Sequence, residues 1–418
     1  MKKYVLLLIL VLLMSALRTT TIRAAEANEW VQLNDITEAR TAAAVAAVDN
    51  KIYIFGGSSS GDLAINGAKT NTTYVYDVTE NRWGKKTNMP TARAAATAAV
   101  VNGKIYVIGG YNTINNQLVR TNVVEMYDPK TDTWEKKAPL HIERSWAGST
   151  VSNGLIYVFG GGQNNDTALK SVEVYDPTLD QWTEKNSMPF ASNGIGVTSF
   201  GGKIYIAGGT TKPYNTPIYI KEFWEYDPAT DVYSKKPDML TERTAFSILA
   251  NNDKLYFIGS VTPNGGSSPI EIYDVRTETW SKLVDLTSWR FQSSAVMINN
   301  EIFIIGGTNG STVLNKVEKY SLKSEEPTDP TDPPETPEPE PSDNRAILVV
   351  TMTTGLEKEF DLSMKEINDF IAWYEAKQAG SGKASYAIDK HENNKGPFSS
   401  RKDYILYDRV LTFEVSEY

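Results

Sequence analysis

The sequence predicts an all-β repeat fold of six units, followed by an acidic linker and a small α+β domain. Three observations support this prediction. An apolar phrase that ends in glycine recurs six times, an aromatic residue precedes each copy at a constant distance, and a Pro-rich segment separates the last copy from a C-terminal stretch with a different pattern. Self-similarity at a period of about 50 residues is typical of repeat architectures.

The recurring phrase has the properties of a buried strand that ends in a sharp backbone bend. Its run of apolar residues indicates a strand that is covered on both faces. The glycines that follow allow the backbone to bend, or to approach another segment closely, where a side chain would clash. The six copies are Lys51–Gly57, Lys104–Gly110, Leu155–Gly161, Lys203–Gly209, Lys254–Ser260 and Glu301–Gly307.

A second phrase, Tyr-Asp followed by a turn and an aromatic residue, fixes the register of the units. Each aromatic residue stands 26 positions before the first glycine of the next apolar phrase, whereas the interval from glycine to the following aromatic varies from 21 to 27. All variation in length therefore falls after the double glycine. The aromatic residues are Trp30, Trp83, Trp134, Trp182, Tyr233 and Trp280.

Together these residues resemble the kelch repeat, from about Trp30 to Tyr320. The resemblance implies a six-bladed β-propeller in which each blade is a four-stranded antiparallel sheet. The sixth copy ends at Tyr320 without its own tryptophan, and the chain begins with an unpaired strand around Trp30. We therefore predict that the N-terminal strand completes the sixth blade and closes the ring, which removes exposed edge strands.

The N-terminus has the pattern of a secretory signal peptide. Lys2 and Lys3 precede the apolar stretch 4–17, and Ala25-Glu26-Ala27 fits a small-x-small cleavage site. We predict a signal peptide at residues 1–27 and a secreted protein, with a Gram-positive bacterium as the expected source. An uncleaved membrane anchor is the less favoured alternative, because the apolar run ends at Arg18.

Composition divides the remainder into a propeller at 28–323, a linker at 324–344 and a module at 345–418. Residues 324–343 contain eight acidic residues, seven prolines and no Lys or Arg, a composition that favours an extended chain. The linker thus accounts for most of the formal net charge of -9. The folded parts are only mildly acidic, which argues against a nucleic-acid partner.

The C-terminal module shows its own strand and helix signals. Residues 346–352 and 357–362 predict a hairpin, and Ser363 with Glu366 forms a capping box before an amphipathic helix. Residues 403–408 and 410–416 predict a second hairpin. The module resembles those at the C-termini of other secreted bacterial repeat proteins, a resemblance that implies no particular activity.

The candidate binding site follows from the order of strands in a blade, which we letter a to d from the axis outward. Alternating strand direction places the b–c and d–a connections on one face, here called the loop face. An arginine begins strand a ten residues after the aromatic in every copy except the fourth, which has Ser192. We predict that these guanidinium groups surround one mouth of the central channel: Arg40, Arg93, Arg144, Arg243 and Arg290.

Two interpretations of these arginines remain open. In kelch propellers this residue often bonds to backbone carbonyl groups of adjacent blades, and for any single arginine that structural role is favoured. As a group with nearby aromatic and amide residues, the arginines also suit an anionic or carbohydrate ligand. Those further candidates are Tyr111, Trp146, Asn164, Tyr214 and Trp289; Trp146 stands where other copies have Ala, Gly or Gln.

Enzymatic functions find little support in the sequence. The kelch-like copper-radical oxidases need a Tyr–Cys crosslink and histidine ligands, but this chain has no cysteine, and its two histidines, His141 and His391, lie in different domains. No metal or cofactor is therefore expected. A kelch sugar mutarotase or epimerase is the alternative function, with Glu143 or Glu242, each of which precedes an arginine of the ring, as its acid.

The sequence thus favours a secreted, monomeric, non-catalytic adaptor that recognises an extracellular protein or glycan through the loop face. It predicts no nucleic-acid partner and no membrane insertion after signal cleavage. The identity of the ligand and the partner of residues 345–418 stay open.

Overall fold

The computed structural model describes residues 30–59, 69–115, 117–164, 167–212, 217–263, 270–286, 290–322, 345–353, 357–378, 385–389 and 402–417. The predicted signal peptide and linker lie outside the described residues. The chain divides into two units, residues 1–326 and 327–418, and each is described by itself. No helix within the described residues is long and apolar enough to cross a membrane.

The first unit contains six four-stranded antiparallel sheets among its described residues, which confirms the predicted six-bladed propeller. The short strand β1 (Trp30–Gln32) precedes the first complete blade. Blade 1 consists of β2 (Ala44–Val48), β3 (Lys51–Phe55), β4 (Thr73–Asp77) and β5 (Arg82–Lys86). Blade 2 consists of β6 (Thr97–Val101), β7 (Lys104–Ile108), β10 (Val124–Asp128) and β11 (Thr133–Lys137), with an extra hairpin, β8 (Tyr111–Ile114) and β9 (Gln117–Arg120), in its b–c connection.

The remaining blades repeat the same plan. Blade 3 consists of β12 (Gly148–Ser152), β13 (Leu155–Phe159), β14 (Val172–Asp176) and β15 (Gln181–Lys185), and blade 4 of β16 (Gly196–Phe200), β17 (Lys203–Ala207), β18 (Phe223–Asp227) and β19 (Val232–Lys236). Blade 5 consists of β20 (Ser247–Asn251), β21 (Lys254–Ile258), β22 (Glu271–Asp274) and β23 (Thr279–Lys282). Blade 6 has β24 (Ser294–Ile298), β25 (Glu301–Ile305) and β26 (Val317–Ser321).

Strand β1 supplies the missing outer strand of blade 6, as predicted. It pairs antiparallel with β26, with Trp30 opposite Tyr320, and the two rings lie 5.2 Å apart between centroids. The first and last parts of the propeller thus share one sheet, so the ring is closed by backbone hydrogen bonds.

Apolar side chains between adjacent blades form the propeller core. Between blades 1 and 2, for example, Tyr53 and Phe55 pack with Val107 and Tyr127. The strand-d tryptophans also connect the blades by hydrogen bonds, because their indole N–H groups donate to the segment that follows strand d of the preceding blade. Examples are Trp83 to Asn34 O at 2.8 Å, Trp134 to Thr87 O at 2.9 Å and Trp182 to Ala138 O at 2.8 Å.

The second unit is a small α+β domain. Its strands are β27 (Arg345–Met352), β28 (Glu357–Ser363), β29 (Ser385–Asp389), β30 (Lys402–Leu406) and β31 (Val410–Glu417), with one helix, α1 (Met364–Gln378), among the described residues. Strand β27 lies between β28 and β31. The predicted helix face is confirmed, because Ile367 and Phe370 are fully buried in the core of this unit.

One predicted pairing in this unit is wrong. Residues 403–408 do not form a hairpin with 410–416; instead β30 pairs with β29, and β31 pairs with β27. A 3₁₀ turn at Tyr407–Arg409 separates β30 from β31. Pairing β31 with β27 places Val410, Phe413 and Val415 against the core, which a two-stranded hairpin alone would not cover.

Candidate functional site

The five arginines of the repeat are buried inside the blades. Their exposed fractions lie between 0 and 3%, although each follows a loop-face connection. Four of them form ion pairs with a glutamate on strand c of the same blade. The pairs are Arg93–Glu125 at 2.6 Å, Arg144–Glu173, Arg243–Glu271 at 2.6 Å and Arg290–Glu318 at 2.5 Å.

Four of the arginines, those of blades 1, 2, 3 and 5, also connect their own blade to the preceding one. The guanidinium group donates to a carbonyl near the end of strand b, as in Arg93 to Val107 O at 3.0 Å and Arg144 to Gly160 O at 2.9 Å. The arginine's own carbonyl accepts a hydrogen bond from the second glycine of the blade before, as in Gly57 N to Arg93 O at 3.0 Å. Both ends of the residue are therefore engaged in holding two blades together.

The predicted placement of the guanidinium groups around the channel mouth is thus wrong. Each arginine lies four residues before strand a rather than at its start. Its side chain turns into the blade, where a glutamate neutralises its charge and carbonyl oxygens accept its hydrogen bonds. Burial lowers the pKa of Arg93, and the adjacent Glu125 carboxylate opposes that effect. A guanidinium group that is bound in this way cannot contact a ligand in the channel without breaking a buried ion pair.

Sequence reasoning missed the glutamate partners, although the repeat contains a signal for them. In the four blades with a buried pair the glutamate stands two residues before the strand-c tyrosine, which Asp follows in blades 2, 3 and 5 and Ser321 follows in blade 6. Blade 4 lacks both members, with Ser192 and Trp224 in their places. Blade 1 has Tyr74 at the glutamate position, and there Glu38 pairs with Arg40, whose guanidinium lies 5.2 Å from the Tyr74 ring centroid.

The central channel is lined by strand a and the residues just before it. It contains a cavity of about 360 Å³, and no Asp, Glu, Lys, Arg or His is among its lining residues. Small and hydroxyl-bearing side chains dominate, and some connect neighbouring blades, as in Thr97 to Ser149 at 2.5 Å. The lining therefore offers no titratable group for acid–base chemistry within the described residues.

A ring of left-handed residues surrounds the channel at the loop face. One residue per blade, two positions after the arginine or Ser192, has a φ between 51 and 70°. Backbone N–H groups of five of these residues donate to the carbonyl of the preceding ring residue at 2.8–3.1 Å. The ring consists of Ala42, Ala95, Trp146, Gly194, Ala245 and Gln292.

Trp146 is the predicted candidate that does line the channel. It is half-buried, has a φ of 56° and packs against a cluster that includes Tyr111 and Leu118 of blade 2. A bulky residue in this conformation is uncommon, and Ala or Gly occupies the position in four other blades. Trp146 therefore adds an aromatic surface that the ring itself does not require.

The other predicted site residues do not lie together around the channel. Tyr111 is fully buried, so it supports Trp146 rather than facing solvent. Asn164 is exposed on the loop face; its side chain accepts a hydrogen bond from Arg120 N at 2.8 Å and donates to Glu143 Oε2 at 2.9 Å. Tyr214 and Trp289 lie outside the described residues.

A second cavity, here called the blade-3 pocket, lies on the loop face beside Asn164. It has a volume of about 440 Å³ and is lined by His141, Ile142, Glu143, Gln163 and Asn164. Its floor is fixed by the buried Glu173 carboxylate, which accepts hydrogen bonds from the backbone N–H groups of His141 at 2.7 Å and Ile142 at 3.3 Å, as well as from Arg144. Among the described residues, no group of three or more His, Asp or Glu side chains is placed to hold a metal ion.

Comparison with known proteins agrees with this geometry. A model of the KLHDC2/KLHL20/DRC7 kelch-repeats domain matches residues 15–209, and the kelch motif matches residues 191–240 and 290–326. A six-bladed propeller with these repeats is a kelch-repeat β-propeller, and the chain contains one. The solved structure of YjhT has the same fold, with a TM-score of 0.60 at 20% identity over 69% of this chain and 97% of that one.

Curated relatives match only part of the propeller. Beta-scruin of Limulus polyphemus is 28% identical over 35% of this chain, and alpha-scruin of the same animal is 34% identical over 33%. An F-box/kelch-repeat protein of Arabidopsis thaliana is 34% identical over 30%. The matches span 16%, 15% and 32% of those relatives' own lengths.

Proposed function

We propose that the protein is a secreted, non-catalytic adaptor that binds an extracellular partner, a protein or a glycan, through the loop face. The observation that carries this proposal is a division of labour within the repeat. The buried arginines and glutamates of the repeat are engaged in contacts within and between blades. The loop face, by contrast, exposes side chains that make no such contacts.

The exposed apolar residues of the propeller support the loop face as the binding surface. Three large apolar side chains in its connections are at least half exposed: Ile114 at 52%, Ile218 at 56% and Val284 at 50%. They lie in b–c and d–a connections, on a scaffold held rigid by its buried ion pairs. Variable loops on a rigid scaffold are where binding surfaces usually lie.

The alternative, a sugar mutarotase or epimerase, gains no specific support. Glu143 and Glu242 are exposed on the loop face, and neither lines the channel cavity. The arginines that would assist them are buried in ion pairs. Catalysis at the channel mouth would need an acid and a cation that face the same space, an arrangement that the described residues do not provide there.

The absence of cysteine from the chain permits a direct test of which face binds. A single cysteine is introduced at Ile114, on the loop face, or at Leu179, which is 64% exposed in a c–d turn of the opposite face, and is coupled to a bulky maleimide polymer. Both proteins are then assayed on an oligosaccharide array and against surface-protein extracts of the producing cells.

We expect the polymer at Ile114→Cys to block binding and the polymer at Leu179→Cys to leave it intact. An anomer-exchange assay with free aldoses should show no acceleration over buffer. Blocking from Leu179→Cys alone, or catalysis of anomer exchange, would contradict the proposal. Secretion is tested separately, by N-terminal sequencing of the exported chain, which should begin near Asn28.

A further inference from the structure

We infer that the blade-3 pocket is a binding subsite for a neutral saccharide. The inference rests on the proposed function in one respect, the use of the loop face, and adds to it the class of ligand and the residues that would bind it.

Comparison among the six repeats singles out this segment of blade 3. The positions of His141, Glu143 and Trp146 carry small, apolar or proline residues in most other copies. His141 is the one histidine between residues 28 and 323. Counterparts of His141 are Thr37, Pro90, Pro189, Leu240 and Thr287; those of Glu143 are Ala39, Ala92, Ala191, Glu242 and Trp289. Since no other blade combines a histidine and a glutamate at these positions, the pair in blade 3 is not needed for the blade framework.

Hydrogen bonds from neighbouring buried residues order the pocket before any ligand binds. Glu173 is fully buried and holds the backbone of His141 and Ile142 in place, and its carboxylate also lies 3.4 Å from His141 Nδ1. From the other side, Arg120 N–H binds the Asn164 side chain, which in turn binds Glu143. The backbone of His141 and Ile142 and the side chains of Asn164 and Glu143 are thus held in position before a ligand arrives, which lowers the entropic cost of binding.

The lining groups match the chemistry of a sugar. Carboxamides present a donor beside an acceptor, a carboxylate accepts, and an imidazole does either. Vicinal hydroxyl groups need this mixture, because each one donates and accepts. The pocket is open to solvent and has a volume of about 440 Å³. A protein hot spot would instead need a large apolar or aromatic anchor site, and Ile142 is the one apolar residue in the lining.

The charges around the pocket favour a neutral ligand. Glu143 is exposed, and Glu184, which is 70% exposed, lies 4.0 Å from His141 Nδ1. The nearby cations, Arg120 and Arg144, are 3% and 1% exposed, and both are engaged in contacts within the protein. An anionic sugar would therefore meet an exposed carboxylate in a lining that contains no Lys or Arg.

Blade 5 provides a matched control, because Leu240 and Glu242 occupy the positions of His141 and Glu143 and are also exposed. The full chain is screened on an array of neutral, sialylated and sulfated oligosaccharides. The Kd of the strongest neutral binder is then measured by isothermal titration calorimetry for the wild type, the pocket variant His141→Ala/Glu143→Gln and the control variant Leu240→Ala/Glu242→Gln. Thermal unfolding of both variants checks that the propeller is intact.

We expect neutral oligosaccharides to bind, and the pocket variant to raise the Kd by at least about tenfold, the loss of two hydrogen bonds. The control variant should stay within about twofold of the wild type. Equal Kd values for the two variants, or a preference for sulfated or sialylated sugars, would overturn the inference. A wild type that binds a protein through the loop face but no saccharide would also overturn it, while leaving the proposed function standing.

Discussion

Four of the buried arginines, those of blades 1, 2, 3 and 5, bind two blades at once, through the side chain in one direction and the backbone carbonyl in the other. Their charge is tolerated because a glutamate, or Glu38 in blade 1, accompanies each one. In blade 4 the pair is replaced by Ser192, whose hydroxyl donates to Gly208 O at 2.6 Å, and by the half-buried Trp224, which packs against the apolar core between blades 3 and 4. The same fold thus uses an ion pair in one blade and an apolar contact in another.

Removing one member of a buried pair should be costly. Arg93→Ala or Glu125→Ala leaves the other charge in a site that is nearly inaccessible to water, and we expect each to lower the free energy of unfolding by about 3–5 kcal/mol. The double variant should lose clearly less than the sum of the two. Ser192→Ala, where no pair exists, should cost about 1 kcal/mol. Urea unfolding measures all four, and single variants no worse than Ser192→Ala would contradict the structural role.

Buried tyrosines on strand c should make the fold sensitive to alkali. Burial raises the pKa of Tyr76 from an ordinary value of 10.0 to about 12. The pKa values of Tyr127, Tyr175 and Tyr226 are also raised, first by burial and then by hydrogen bonds to Asp132, Asp180 and Asp231. Because the unfolded chain ionises first, their stabilisation is complete below pH 10 and is lost as the pH rises through the folded-state values.

We therefore expect the free energy of unfolding to fall steadily from pH 10 to pH 12. The decline should be shallower in Tyr175→Phe, which removes one of these groups. Urea unfolding at several pH values, together with ultraviolet titration of the tyrosines, measures both effects. Stability that stays constant across this range, or tyrosines that all titrate near 10.0 in the folded protein, would contradict the assignment.

At the scale of the elements, the strand-d aromatic residues join the outer strand of each blade to the segment that follows strand d of the preceding blade. Trp134 of β11 donates its indole N–H to Thr87 O at 2.9 Å. Trp30 of β1, at the closure of the ring, is the exception, because its buried indole N–H has no partner among the described residues. The joint between blades 5 and 6 thus lacks a hydrogen bond that the other strand-d tryptophans make.

This difference predicts unequal effects of the same substitution. Trp134→Phe loses apolar contact and a hydrogen bond, whereas Trp30→Phe loses apolar contact and removes an unpaired donor. We expect Trp134→Phe to be the more destabilising of the two by about 1 kcal/mol, as measured by urea unfolding. Equal losses, or a larger loss for Trp30→Phe, would show that the indole N–H does not contribute to the joint.

At the scale of the whole molecule, the repeat register predicted the propeller. Each blade contains residues, such as the glycine after strand b and the aromatic of strand d, whose roles few other residue types can fill. The 26-residue interval from Trp83 to Gly109 spans the same parts of consecutive blades in every copy, and the unpaired strand at Trp30 specified the closure. In the C-terminal unit, by contrast, β30 and β31 are adjacent in sequence without being partners, because strand patterns encode burial rather than pairing.

The site was predicted less completely, for a reason that Arg144 and Glu143 illustrate. Their positions in the repeat were correct, and both belong to the segment before strand a. Sequence spacing does not say which way a side chain turns, however, and Arg144 turns into the blade while Glu143 faces solvent. Trp146 was recognised because it departs from the other copies, and the same comparison would have singled out His141.

The central claim is that ligand recognition belongs to exposed residues of the loop face while the framework arginines hold the blades together. Hydrogen–deuterium exchange of the full chain, with and without the strongest oligosaccharide from the array, tests it most directly. We expect ligand-induced protection in 139–146 and 162–164, with unchanged exchange in the a–b and c–d turns of the opposite face. Protection confined to those turns or to 345–417, with none at the loop face, would contradict the account.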